Sequence, residues 1–204
     1  EATVEGWVKW DHFGNWMRFF DFGRMAHTMV IGNSLTRPSL SFELWDAKGE
    51  QRVSLVVPDI LQAGHWYHIA AATGKSGVKL YLNGVLIATN AYTGSFASVK
   101  NGQHNYLGRN NWSSGSDGHR DFQGQMDGVR VWNVARTGEQ ICQMMFQRLA
   151  GQEPGLAGLW NFDNGTANDA TPGQHHGQLK GNARIVAATL PDPQDLPRPH
   201  TEKV

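Results

Sequence analysis

Paired carboxylates are acid–base machinery that a strand-rich chain could carry, so the acidic residues are weighed first. A strand places residues i and i+2 on one face, and glycoside hydrolysis needs two carboxyls about 5–5.5 Å apart for retention, or farther apart for inversion. Glu5 is followed at that spacing by Trp7 and Lys9, Glu43 by Trp45 and Ala47, and Asp127 by Val129. No one strand supplies the pair. Neither G-x-S-x-G nor H-E-x-x-H occurs, so the usual serine-hydrolase and zinc-protease arrangements are missing too. His175 and His176 are adjacent, and on a strand they would face opposite ways rather than share a metal. His68, on an apolar run, reads as a satisfied core or edge histidine. A glycan-degrading enzyme with carboxylates drawn from distant strands stays open as an alternative.

Recognition of sugars asks for different groups: an exposed aromatic face for the apolar side of a pyranose, and planar donors for its rim. Trp7, Trp45, Trp66, Trp132 and Trp160 sit inside alternating runs and read mainly as core, since large aromatics dominate burial. Trp112 differs. It lies in the polar run Asn110-Asn111-Trp112-Ser113-Ser114-Gly115, flanked by Arg109, His119 and Arg120. Two readings stand side by side: Trp112 stacks on a ligand, or it folds back as a lid on the edge of the domain. Trp10 and Trp16 bracket a second, weaker candidate loop.

Composition narrows the partners. Lys plus Arg and Asp plus Glu are 18 each in 204 residues, so no basic excess exists to neutralise nucleic-acid phosphates. No run of 18 apolar residues marks a membrane span. Cys142 is the single cysteine, which excludes an internal disulfide framework and a cysteine-based zinc site. Glycine, at 24 residues, exceeds the roughly 7% of an average chain and implies many turns. The start at Glu1, without a methionine or a leader pattern, is expected of a module within a larger protein.

Any site must be carried by short strands. Period-two alternation marks strands over 3–10, 16–22, 28–31, 39–45, 52–57, 66–73, 78–82, 85–88, 106–108, 125–133, 156–162 and 183–187. Asn83-Gly84 is a hairpin signal, because both residues of a type I′ turn take positive φ. One helix is expected: Thr137 and Gln140 have capping-box spacing, Ile141, Met144, Met145 and Leu149 follow at helical intervals, and Gly151 and Pro154 stop it. Residues 1–188 read as one domain. Four of the eight prolines fall between Pro191 and Pro199, so 189–204 reads as a Pro-rich tail or linker.

Three segments carry a resemblance. His65-Trp66-Tyr67-His68-Ile69-Ala70-Ala71 with Lys79-Leu80-Tyr81-Leu82-Asn83-Gly84-Val85 is the first. The second is Phe122 to Asn133, and the third runs from Gly155-Leu156-Ala157-Gly158-Leu159-Trp160-Asn161-Phe162-Asp163 through Gly177. Together they resemble the laminin G-like and pentraxin family. The resemblance implies an all-β fold, a concanavalin A-like jelly-roll sandwich of two antiparallel sheets with one short helix. In many members the Leu156–Phe162 strand opens the domain; here it follows the helix and is expected to close the same sandwich.

The family's function carries over as an expectation: a non-catalytic binding or adhesion module, extracellular or at the cell surface, recognising carbohydrate or a protein surface. A purely structural spacer is the other alternative. Its ligand residues would be Arg109, Asn110, Asn111, Trp112, His119 and Arg120, with Arg24 and His27 from the neighbouring loop. Relatives bind calcium, which needs six to eight oxygen ligands. The pentraxin-like double site is not expected, because the stretch from Arg109 to Asp117 has lost its acidic start. A single structural Ca2+ at Asp127, Asp163 and Asp169 is the remaining possibility, against a reading in which Asp163 and Asp169 simply form turns.

Overall fold

A computed structural model describes residues 1–24, 27–99, 104–111 and 120–197. Its strands are β1 (Ala2–Trp10), β2 (Arg18–Arg24), β3 (His27–Asn33), β4 (Leu40–Trp45), β5 (Gln51–Val57), β6 (Tyr67–Gly74), β7 (Gly77–Leu82), β8 (Val85–Asn90), β9 (Asn105–Leu107), β10 (Gly124–Trp132) and β11 (Leu156–Trp160), with one α-helix, α1 (Gly138–Met144). A six-stranded sheet runs β11-β10-β1-β6-β7-β8, and a five-stranded sheet runs β5-β4-β3-β2-β9. The expected two-sheet antiparallel sandwich is what forms.

Alternation explains the layering. In β1, Val4, Val8 and Trp10 turn into the core, while Thr3, Glu5, Trp7 and Lys9 take the other face. The register of β1 on β10 shifts between Glu5 and Trp7. Gly6 sits at that shift, where a Cβ would come 2.9 Å from the Phe19 ring and 3.1 Å from the Val129 backbone. A side chain there would force the Phe19 ring and the β10 backbone to shift. Phe20, Phe42, Leu44, Ile69, Leu80 and Val129 meet the β1 residues in one buried cluster, and each large side chain withdrawn from water contributes about 1.5–3 kcal/mol. Asn83 and Gly84 turn the β7–β8 hairpin at φ 51° and 77°. The Asn83 side chain also accepts the backbone N–H of His68 at 2.9 Å.

A helix of seven residues is too short to stand alone in water, and packing and caps hold α1. Thr137 and Gln140 form the reciprocal capping box. Beyond its C-terminal end, Arg130 donates to the carbonyls of Met144 and Gln147, both at 2.8 Å, satisfying acceptors that a helix end leaves free. The helix stops at Met144, short of the Leu149 expected from periodicity; Met145 and Leu149 pack from the chain that follows.

Under α1 lies a buried polar row. Glu5 accepts from the Trp132 indole at 2.9 Å and pairs with Arg130 at 3.5 Å, while Arg136 stacks on the Trp132 ring at 3.9 Å. His68, opposite Trp7 on β6, is core as expected but not satisfied: neither ring nitrogen has a hydrogen-bond partner.

One strand expected from sequence does not form. Residues 183–187 are not a strand; their one backbone bond, Ala183 N–H to Lys180 carbonyl at 3.2 Å, is a turn contact, and a short β-branched run makes a strand only against a ladder partner. Leu190 and Leu196 pack on Trp7, Trp66 and Met145, and Asn83 donates to the Pro197 carbonyl at 2.8 Å. No helix among the described residues is long and apolar enough to cross a membrane.

Candidate functional site

The helix and the chain through Leu196 cover the outer face of the six-stranded sheet, which leaves the outer face of the five-stranded sheet to carry a site. The register aligns one row across it: Tyr106 on β9, Asp21 on β2, Val30 on β3, Glu43 on β4 and Ser54 on β5. At about 4.8 Å per strand the row is some 19 Å long. Ser41 and Trp45 share the face of Glu43 by alternation, and Arg18 shares that of Asp21.

The β2 half of the face is closed. Asp21 is fully buried; its carboxylate accepts from the Thr28 hydroxyl at 2.7 Å and from the Asn111 backbone N–H at 3.0 Å. Burial still pushes its carboxyl above the ordinary range, with the Asn111 and Thr28 donors pulling the other way. Arg18 is 2% exposed and lies 5.3 Å from the Trp16 ring.

The β4–β5 half is open. Glu43 and Trp45 are half-buried and Ser54 is exposed. No hydrogen bond or ion pair from the described residues engages the Glu43 carboxylate, and its oxygens are not sealed from solvent. Burial raises its carboxyl above the ordinary range against the pull of Arg18, and Asp21 adds to the rise.

The loop residues named from sequence divide. Asn111 binds this face, its side chain donating to the carbonyls of Asp21 at 3.1 Å and His104 at 3.0 Å. Arg109 is exposed and stacks over Tyr106 at 5.4 Å; Asn110, beside it, is half-buried. Arg120 is exposed and donates its backbone N–H to Asn15 at 2.9 Å. Arg24 and His27 face one another at the far end of β2, about 20 Å along the strand from Arg18, where His27 Nδ1 lies 3.1 Å from the Asp46 carbonyl. Trp112 and His119 lie outside the described residues.

Beside this face the sandwich edge opens between β9 and the β10–β11 pair into a groove of about 2220 Å³. Leu107, Phe122, Met126 and Trp160 line it as half-buried fringes of the core. Arg109, Arg120, Asp127 and Asp163 also line it.

The three aspartates do not fit one calcium ion. Asp169 spends both oxygens on the backbone N–H groups of Leu159, Thr171 and His175, at 2.9, 2.8 and 2.9 Å, and on the Thr171 hydroxyl at 2.9 Å. Burial raises its carboxyl, but these donors outweigh burial and hold it below the ordinary range. Asp163 pairs with Arg148 at 3.0 Å. Asp127 accepts from Gly128 N–H at 2.7 Å; burial raises its carboxyl and the Asp163 charge adds to that. Among the described residues no three His, Cys, Asp or Glu side chains gather as a metal site.

Sequence reasoning missed Asp21, Arg18, Tyr106 and the partial exposure of Glu43 and Trp45 on one face. The signal was present in Leu40-Ser41-Phe42-Glu43-Leu44-Trp45: alternation puts Glu43 and Trp45 together, opposite Phe42 and Leu44. The row itself joins strands, so spacing within one strand could not reveal it.

Comparison with known proteins agrees with this architecture. The family model Laminin_G_3, described as the concanavalin A-like lectin/glucanases superfamily, matches residues 1–142. Among curated proteins, none matches the chain by sequence. A crystal structure from Bacteroides ovatus, provisionally described as a carbohydrate-binding protein, superposes with TM-score 0.65 at 24% identity, covering 85% of this chain and 50% of that one. The CBM40 module of the Ruminococcus gnavus IT-sialidase, bound to α2,3 sialyllactose, superposes with TM-score 0.59 at 16% identity, covering 71% of this chain and 82% of that one. The NanB sialidase of Streptococcus pneumoniae (K499G mutant) gives TM-score 0.61 at 16% identity, covering 75% of this chain and 25% of that one. At such identities the likeness is one of fold. The chain spans half the length of the Bacteroides structure.

Proposed function

The chain belongs to the Laminin_G_3 family of the concanavalin A-like lectin/glucanase superfamily, and from that premise we propose that it is a carbohydrate-recognition module of a larger protein acting outside the cell. One observation carries the reading. The outer face of the five-stranded sheet is partly exposed over β4 and β5, where a half-buried carboxylate and indole, Glu43 and Trp45, share a face with the exposed hydroxyl of Ser54. Those are the groups a pyranose needs: acceptors for its hydroxyls and an apolar plane for its ring. The relatives of similar fold that bind or process sugars, a CBM40 module and a sialidase among them, support the class of ligand without fixing which sugar.

The module is read as non-catalytic for a specific reason. Asp21 and Glu43 share the face two strands apart, about 9.6 Å between backbones, which is near the carboxyl spacing of an inverting glycosidase. Asp21 is buried and its oxygens are engaged by Thr28 and Asn111. It is closed off from a substrate, and among the described strand residues of β4 and β5 no second carboxylate stands beside Glu43.

A glycan array with the intact chain and with Trp45→Ala tests the proposal. Losing a stacking aromatic costs about 1–3 kcal/mol in anchor positions. Binding to a defined set of glycans, weakened by the substitution at unchanged melting temperature, is the expected result. Absence of glycan binding, with release of product from any bound sugar as the other adverse outcome, would end this reading.

A further inference from the structure

Resting on the carbohydrate reading, we infer that the ligand is an uncharged sugar, gripped through neighbouring hydroxyls by the Glu43 carboxylate, and that anionic sugars are turned away. The argument is an inventory of the charges a ligand on β4 and β5 would meet.

Glu43 is the charge within reach at the centre. It stands next to Ser54 across the β4–β5 ladder, and no protein donor from the described residues occupies it. A carboxylate with free lone pairs accepts two adjacent sugar hydroxyls, a charge-assisted arrangement stronger than neutral hydrogen bonds. Asp21, one strand beyond Val30 in the same row, adds to the negative charge there.

Among the described residues, the arginines of this sheet and its flanks are each out of play for a ligand there. Arg18 lies 2% exposed among the face residues, so it tempers Glu43 without offering a fork to a bound carboxylate. Arg52, on β5, is held by Asp46 at 2.7 Å and by Glu50. Arg109 stacks over Tyr106, whose strand β9 lies three strands, about 14 Å, from that of Glu43. Arg24 stands at the end of the β2–β3 hairpin. An acidic sugar would therefore lose its hydration against Glu43 with no counter-charge from these arginines, which is the costly case.

Calorimetric titration and an array carrying neutral and acidic oligosaccharides, run on the intact chain and on Glu43→Gln and Glu43→Asp, decide the matter. The expected result is binding confined to neutral glycans, weakened about ten- to hundredfold in Glu43→Gln, as the loss of hydrogen bonds to a charged group implies. Glu43→Asp keeps the charge but shortens the reach, and is expected to weaken binding while preserving the preference for neutral sugars. Binding to acidic glycans alone would overturn this inference and leave the carbohydrate reading standing. Neutral-glycan affinity unchanged in Glu43→Gln would do the same. No binding to either class would remove the carbohydrate reading and the inference with it.

Discussion

Asp21 and Asn111 are joined twice over: the Asn111 backbone N–H reaches the Asp21 carboxylate at 3.0 Å, and the Asn111 amide reaches the Asp21 carbonyl at 3.1 Å. Ninety residues apart in sequence, they fasten the chain after β9 onto the outer face of the five-stranded sheet. This latch closes the β2 half of the face and leaves the β4 half open. The boundary of the candidate site is set by a structural contact rather than by a ligand.

Asn111→Ala should therefore loosen the loop. It deletes the amide bonds to the Asp21 and His104 carbonyls while keeping the backbone bond to the Asp21 carboxylate. A loss of about 1–3 kcal/mol is expected in denaturant unfolding. Stability within a few tenths of the parent chain would show that the latch is redundant.

How much of this was legible follows from where each signal lived. The sandwich was readable because alternation is local: Val4, Val8 and Trp10 announce one face of β1, and Asn83-Gly84 announces its hairpin. The loop containing Asn111 was singled out as a ligand loop for its polar composition around Trp112; in the fold Asn111 hydrogen-bonds to Asp21 on the outer face of the five-stranded sheet. The row from Tyr106 to Ser54 was not readable, because it is assembled from five strands and depends on register. Asp169 shows the same limit. Its type and setting suited a metal ligand, but its oxygens serve three backbone N–H groups and one hydroxyl, and which donors point at a carboxylate is a property of folded geometry.

Acid should expose the strain at His68. Its ring is fully buried, and burial first, then the charges of Arg130 and Arg136, push its pKa well below 6.5. The unfolded chain takes up a proton near 6.5 and the native chain does not, so this contribution is complete above that pH and is lost as pH falls below it. Glu5, raised by burial despite Arg130 and Arg136, titrates in the opposite sense, so the difference from His68→Phe isolates the histidine. The parent chain should lose about 2 kcal/mol relative to the variant between pH 6.5 and 5. Parallel stability curves would mean that the histidine is not held neutral.

Asp169 and calcium make a paired test. Because Asp169 is held below its ordinary range by the Thr171, Leu159 and His175 donors despite burial, its contribution is present above the usual aspartate pKa and fades as acid protonates it. Asp169→Ala should cost about 2–4 kcal/mol at neutral pH, for several backbone donors left unmet. Excess chelator should leave the melting temperature of the parent chain unchanged. A melting point lowered by chelator and restored by calcium would show that an ion stabilises the native state by mass action.

The last prediction concerns what completes the sandwich. β11 pairs with β10 in register from Val129↔Trp160 to Trp132↔Leu156, and Leu159 is 1% exposed against Trp132 and Leu149. The same segment is tied down by the Asp169 bonds to Leu159 and Thr171. A chain ending at Gly151 loses the outer neighbour of β10 and uncovers Trp132, and removing a single large core side chain already costs about 2–5 kcal/mol. With domain stabilities of about 5–15 kcal/mol, that truncation should yield aggregated or unfolded protein. A chain ending at Ala188 keeps β11 and loses only Leu190 and Leu196 from the Trp7–Trp66–Met145 patch. It should fold, melt cooperatively at a lower temperature, and show red-shifted tryptophan fluorescence as Trp66 meets water. A soluble, cooperatively melting 1–151 chain would show that β11 is dispensable and that the sandwich closes at β10.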